Sequence, residues 1–145
     1  MAKFELHPTL QNDTVSVADL PLSALLLMND SRFPWLILVP KKASVLEIHD
    51  LEIPDQNQLL QEIVGISQLL KEYVRPDKLN VASIGNRVPQ LHIHIVARKK
   101  DDLAWPAPVW GYAQAIAYTE SELQRVVQEV KIKLPQFLKK DSEHR

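Results

Sequence analysis

The sequence predicts an α+β fold: a mainly antiparallel five-stranded sheet with one long central helix and a C-terminal helix. Three observations carry that prediction. Apolar residues recur at spacings of three and four behind two helix-start signals, short stretches elsewhere alternate or run continuously apolar, and the strand-like stretches follow one another as a meander rather than alternating with helices. The length of 145 residues fits a single domain, divided into a core of about 3–105, a loop and helix over 106–138 and a frayed tail at 139–145.

Strands are expected near Lys3 to Leu6, at Ser23 to Met28 and at Trp35 to Val39. Between the last two, Asn29-Asp30-Ser31-Arg32-Phe33-Pro34 is turn chemistry, since Asn and Asp accept left-handed backbone and Pro resists a ladder. The run Leu36-Ile37-Leu38-Val39 suits a strand covered on both faces. Asp55 and Gln58 resemble a capping box, and Leu59, Ile63, Ile66, Leu70 and Tyr73 behind them form a helical stripe that ends before Pro76. Gly65 inside that helix costs about 1 kcal/mol of propensity relative to Ala, so it implies a close neighbour. Leu79 to Ile84 and Leu91 to Arg98 complete the sheet, and a last helix opens at Thr119 and Glu122, carries Leu123, Val126, Val127 and Val130, and is expected to stop at Pro135. The loop Asp101 to Ala117 holds Trp105 and Trp110 and is too apolar for a plain linker.

Charge and composition exclude several classes. Seventeen Lys and Arg against 18 Asp and Glu leave a formal charge of −1, with no basic stripe for nucleic acid and no general pull towards anionic lipid. The absence of Cys removes disulfides and thiolate chemistry. Leu22 to Met28 is stopped by Asn29 and Asp30 far short of a membrane span, and Met1 to Glu5 has no signal-peptide character, so a cytoplasmic location is expected.

One segment is poorly explained by folding alone: Gln90-Leu91-His92-Ile93-His94-Ile95-Val96. Strict alternation puts Gln90, His92, His94 and Val96 on one face, so two imidazoles project together. Three readings remain open on these residues alone. The pair can be two half-exposed strand histidines, or two zinc ligands lacking a third at diagnostic spacing among His7, His49, His144 or a carboxylate. Or one imidazole is a nucleophile towards phosphorus, with its neighbour bonding the transferred phosphate.

The stretch Gly85-Asn86-Arg87-Val88-Pro89-Gln90-Leu91-His92-Ile93-His94 resembles the histidine-triad (HIT) family pattern Gly-Gln-Ser/Thr-Val-x-His-φ-His-φ-His, φ being apolar. The hairpin Leu25-Leu26-Leu27-Met28-Asn29-Asp30 and Leu36-Ile37-Leu38-Val39-Pro40-Lys41 is similar to the family's nucleoside-holding strands, and the likeness extends from Leu22 to about Trp105. The resemblance implies His92 as nucleophile and His94 as the third triad histidine, with Gln90 replacing the first; Gln90 can orient by hydrogen bonds but carries no proton. It implies phosphate held by Gly85, Asn86, Arg87 and Val88, where Arg87 replaces a small hydroxyl residue. Asn29 or Asp30 would meet the ribose, although turn formation explains both equally well.

A homodimeric, cofactor-free and metal-independent nucleotide hydrolase or transferase is therefore expected. It would act at the α-phosphate of a nucleoside phosphoramidate (phosphoramidase activity) or a dinucleoside polyphosphate, through a nucleotidyl-histidine. The rivals are a non-catalytic nucleotide-binding or sensing module, and an interaction protein using the Trp105 to Tyr112 loop. Trp105-Pro106 lies where some family members reach a partner subunit's site; burial under the C-terminal helix is the alternative for Trp105 and Trp110. His49 is expected on the surface ahead of the long helix.

Overall fold

The hairpin of β2 (Ser23–Met28) and β3 (Trp35–Pro40) forms where continuous apolar runs meet the Asn29 to Pro34 turn, and every residue of β3 is buried. In the computed structural model, which describes residues 2–138, these strands lie at the middle of a five-stranded antiparallel sheet. Its order is β1 (Thr14–Asp19), β2, β3, β5 (Ile93–Arg98) and β4 (Lys78–Ala82). The tail expected at 139–145 lies outside the described residues.

Two elements correct the sequence reading at the N-terminus. Lys3 to Leu6 is not a strand: Pro8 opens a short helix, α1 (Pro8–Asp13), and before it Phe4 and Leu6 pack on a face of the sheet rather than joining its ladder. The edge strand is Thr14–Asp19, whose β-branched Thr14, Val15 and Val17 suit a pleated surface. It pairs with β2 through a bulge at Ser16/Ala18.

The long helix α2 (Ile53–Val74) starts two residues earlier than its expected box, with Glu52 as N-cap and Pro54 in the first turn. It stops at Arg75, left-handed at φ 49°, ahead of Pro76. The C-terminal helix α3 (Glu120–Phe137) begins as expected, with the Thr119 hydroxyl accepting from Glu122 N. It does not stop at Pro135: a proline in the last turn removes only one hydrogen bond, and Leu138 N still reaches Leu134 O at 3.0 Å.

Both helices cover one face of the sheet. Leu91, Ile93, Ile95 and Ala97 of the β5 region meet Leu59, Ile66, Leu70 and Val130 there. Glu62, fully buried, fastens α2 to the sheet by accepting from Leu22 N at 2.8 Å and Ser23 N at 3.1 Å. The opposite face carries a second core of Trp35, Ile37, Val88, Val96 and Val109, with Phe4, Leu6, Met28 and Trp110 packed on it. The alternation along β5 thus sends one set of side chains to the helices and the other to the face bearing the histidines.

Gly65 has the close neighbour its position implies. A Cβ there would run into the Leu138 side chain and come within 2.8 Å of Phe137 O, at the end of α3. Gly65→Ala is therefore expected to destabilise by about 1–3 kcal/mol despite the better helix propensity of Ala, because the obstacle includes backbone. Urea denaturation checks this, and a variant more stable than the native protein would remove the close-contact explanation.

Candidate active site

The end of the sheet where β5 begins brings the two histidines together. His92 immediately precedes β5 and His94 is its second residue, opposite Ile37 of β3 and Ala82 of β4. Their rings lie edge to face with centroids 4.8 Å apart, and the residues are only 6% and 5% exposed. They share one face, as the alternation implies, and it is the face away from the helices.

Hydrogen bonds assign the protons on both rings. His92 Nδ1 lies 2.7 Å from Gln90 O, and a carbonyl only accepts, so Nδ1 carries the hydrogen and Nε2 presents a lone pair. Trp35 Nε1 donates to His94 Nδ1 at 3.0 Å, and indole N–H only donates, so the His94 proton is on Nε2. The donor comes diagonally across the β3–β5 pair, Trp35 being opposite Val96. One ring therefore offers a nucleophilic nitrogen and its neighbour a hydrogen-bond donor. Burial pushes the His92 imidazole below the usual histidine range, against the opposing pull of the Gln90 carbonyl. Burial, with the charge of His92, pushes His94 down to about 3. Both are neutral at pH 7.

A cleft of about 460 Å³ opens beside the pair, lined in part by Gly85, Asn86, Arg87, Val88, Met28 and Trp110. Gly85 takes the left-handed φ of 68° that starts the turn, and the buried Val88 side chain anchors it. A second cleft of about 490 Å³ adjoins the first, sharing Asp13, Met28, Trp35, Arg87 and Gly111. Arg87 is exposed where the two meet and makes no hydrogen bond or ion pair among the described residues.

The loop after β5 is held by a buried ion pair that sequence reasoning did not single out as functional. Arg98 pairs with Asp102 at 2.8 Å and bonds Ala107 O and Asn80, and it lies over the Trp105 ring. Asp102 in turn accepts from Trp105 N and Ala104 N, and the Arg98 guanidinium holds its carboxyl down to about 2. This fold of the loop delivers Trp110 onto His94 with ring centroids 5.4 Å apart. Trp110 is thus not covered by the C-terminal helix; it packs on the other sheet face, against Trp35 and His94.

Asn29 and Asp30 both line the second cleft, and their oxygens are already engaged. Asp30 forks onto Arg32 at 2.8 and 2.9 Å, and Asn29 Oδ1 accepts from Tyr118 N. Arg32 continues to Tyr112 O, so the β2–β3 turn clamps the 112–118 stretch. The Gln90 side chain is spent on the N-terminal segment, accepting from His7 N and donating to Glu5 O, and only its backbone carbonyl touches His92. His49 lies on the surface, its side chain 84% exposed. Among the described residues no three His, Asp or Glu side chains gather as a metal site.

The chain matches the family model described as HIT domain over residues 9–101. It is 45% identical to a histidine triad protein from Bradyrhizobium japonicum, covering 92% of this chain and 99% of that one with a TM-score of 0.89. A histidine triad protein from Marinobacter aquaeolei is 40% identical, over 94% and 99% of the two chains, with a TM-score of 0.91. The protein belongs to the histidine-triad (HIT domain) family. Among curated proteins it is 32% identical over 69 residues to bis(5'-adenosyl)-triphosphatase of Saccharomyces cerevisiae, over 44% of this chain and 34% of that one. The chain thus matches about a third of the length of that relative.

Since the unfolded chain protonates its histidines near the ordinary 6.5 and folded His94 does so only at about 3, stability from this group is full above about pH 6.5 and is lost as pH falls towards 3. His94→Gln is expected to flatten that part of the decline, measured as urea midpoints from about pH 7 to about pH 4. An equally steep decline in the variant would mean that His94 is not the group held neutral.

Proposed function

We propose that this protein is a nucleotide hydrolase acting at the α-phosphate of a dinucleoside polyphosphate or a nucleoside phosphoramidate, with His92 as nucleophile. The single observation that carries the reading is the complementary protonation of the two rings, fixed by Gln90 O and Trp35 Nε1. His92 Nε2 forms a bond to phosphorus with its lone pair as the bond from phosphorus to the leaving oxygen or nitrogen breaks and takes its electron pair to the leaving group. Solvent or the incoming water supplies the proton that group requires. Water then attacks the nucleotidyl-histidine, the P–N bond breaks, and Nε2 recovers its lone pair.

Neighbouring groups supply charge stabilisation. His94 Nε2–H donates to a phosphate oxygen, and backbone N–H groups of the Gly85 to Val88 turn hold the others, as concave turns do for anions. The Gln90 carbonyl stabilises the positive imidazole that exists while phosphorus is attached. The nucleoside would occupy the second cleft, against Met28 and near Asn29 and Asp30. Arg87, at the junction, would pair with a further phosphate, which favours a polyphosphate leaving group over an amine. The expected homodimer belongs to the same reading: Ile53, Leu60 and Val64 leave an exposed apolar stripe on α2 for a second copy, and sedimentation at the mass of one 16.6 kDa chain would remove it.

The test is incubation of wild type and variants with diadenosine triphosphate and with adenosine phosphoramidate, reading turnover and the mass of an adenylylated His92. His92→Ala is expected to abolish both signals, and unchanged turnover would end the proposal. Arg87→Ala is expected to slow the triphosphate substrate about ten- to hundredfold while sparing the phosphoramidate. Binding of AMP by wild type with neither turnover nor adduct would instead mark a nucleotide-binding module.

A further inference from the structure

Two carboxylates border the clefts, Asp13 and Asp30, and only one is free to accept from a ligand. Asp30 is 1% exposed and turns both oxygens to Arg32, while Oδ1 of the adjacent Asn29 is taken by Tyr118 N. Asp13 is exposed; its Oδ1 accepts from Asn12 Nδ2 at 3.1 Å, and its Oδ2 meets no donor among the described residues. The turn residues expected at the ribose are thus engaged within the protein, and the available acceptor comes from the end of α1.

The fold mounts Asp13 firmly. Leu10 anchors α1 in the core of the site face, and the Thr14 hydroxyl donates to Leu10 O at 2.6 Å. Asn29 N donates to Asp13 O at 3.0 Å, and Thr14 pairs with Met28 across β1 and β2. Helix formation does not account for the residue. A carboxylate at the C-terminal end of a helix faces carbonyls of like polarity, and no basic side chain in the last turn of α1 offsets it. Its place in the site does account for it: Asp13 lines both clefts, so it stands where the cleft beside the histidines meets the cleft for the nucleoside. The part of a nucleotide that joins base to phosphate is the ribose, whose vicinal hydroxyls are two donors that one carboxylate can accept together.

We propose that Asp13 recognises the ribose of the bound nucleotide, its carboxylate accepting from the vicinal hydroxyls at the junction of the two clefts, and that the protein thereby selects ribonucleotides over deoxynucleotides. This deepens the nucleotide hydrolase reading and rests on its placement of the nucleoside. A site built around a substrate hydroxyl rejects the analogue lacking it, because the acceptor is then desolvated without a partner. Arg87 borders the same junction, and its positive charge offsets the repulsion between the Asp13 carboxylate and a neighbouring phosphate. Asp30 is left to its pair with Arg32, holding the turn against the 112–118 stretch.

The experiment is calorimetric binding of AMP and of 2′,3′-dideoxy-AMP to wild type, Asp13→Asn and Asp13→Ala, with hydrolysis of diadenosine triphosphate run alongside. Asp13 is exposed, so both variants are expected to keep the wild-type Tm. Wild type is expected to bind AMP about ten- to hundredfold more tightly than the dideoxy nucleotide. Asp13→Ala is expected to bind the two alike, having lost affinity for AMP alone, and Asp13→Asn, which keeps one acceptor, to fall between. In hydrolysis Asp13→Ala is expected to raise KM by a similar factor rather than to lower kcat. Equal affinity of wild type for the two nucleotides, or a preference for AMP that survives in Asp13→Ala, would overturn the inference. A ribose preference that depends on Asp13 in a protein without turnover would overturn the hydrolase reading and leave Asp13 in its role, whereas an active wild type indifferent to the ribose hydroxyls sinks only the role of Asp13. A wild type that binds neither nucleotide would overturn both.

Discussion

A carbonyl left out of the sheet ladder governs the chemistry of this protein. Strand pairing in β5 begins at Ile93, and two residues before it the Leu91 N–H bonds Val45 O at 3.0 Å, so the ladder does not extend to Gln90. Gln90 O is therefore available to His92 Nδ1, and a backbone atom cannot rotate away as a side chain can. The contact selects the tautomer, leaves Nε2 unprotonated and offers a partner for positive charge on the ring. Burial keeps the imidazole neutral by disfavouring its cation, so placement and protonation state come from one arrangement of the strand entry.

The surrounding structure serves to keep that arrangement stiff. Trp35 sets the opposite tautomer in His94, Trp110 packs on the same ring, and the loop that carries Trp110 is secured by the buried Arg98–Asp102 pair at one end and the Asp30–Arg32 pair at the other. Buried ion pairs of this kind are costly unless every donor is used, and here the forks are extended by bonds to Ala107 O, Asn80 and Tyr112 O. Their contribution is better understood as fixing a loop against the site than as adding net stability. Preorganised donors need no rearrangement when charge develops on a phosphate.

Much of this was legible in the chain because it follows local periodicity. The alternation from Gln90 to Val96 placed both histidines on one face, and the spacing of Leu59, Ile66 and Leu70 marked the face of α2 that meets the sheet. The boundaries that were missed depend on context. A proline in the last turn of α3 costs one bond, so Pro135 does not end the helix, and Lys3 to Leu6 has strand character but Phe4 and Leu6 pack on a face of the sheet instead of pairing with an edge. The contributions of Trp35 and Trp110 arise from contacts between residues far apart in sequence, and that of Arg98 from the folding of the loop after β5, neither of which periodicity encodes. Only Trp35 carried a usable signal, since alternation along β3 puts it on the same face as Ile37 and so diagonally opposite His94.

The most direct test of the central claim is nitrogen-15 NMR of the two imidazoles in the folded protein at neutral pH. The predicted spectrum has His92 protonated at Nδ1 with a bare Nε2, and His94 protonated at Nε2 and still neutral at about pH 5. A His92 ring carrying its proton on Nε2, or a His94 that is already cationic at that pH, would contradict it.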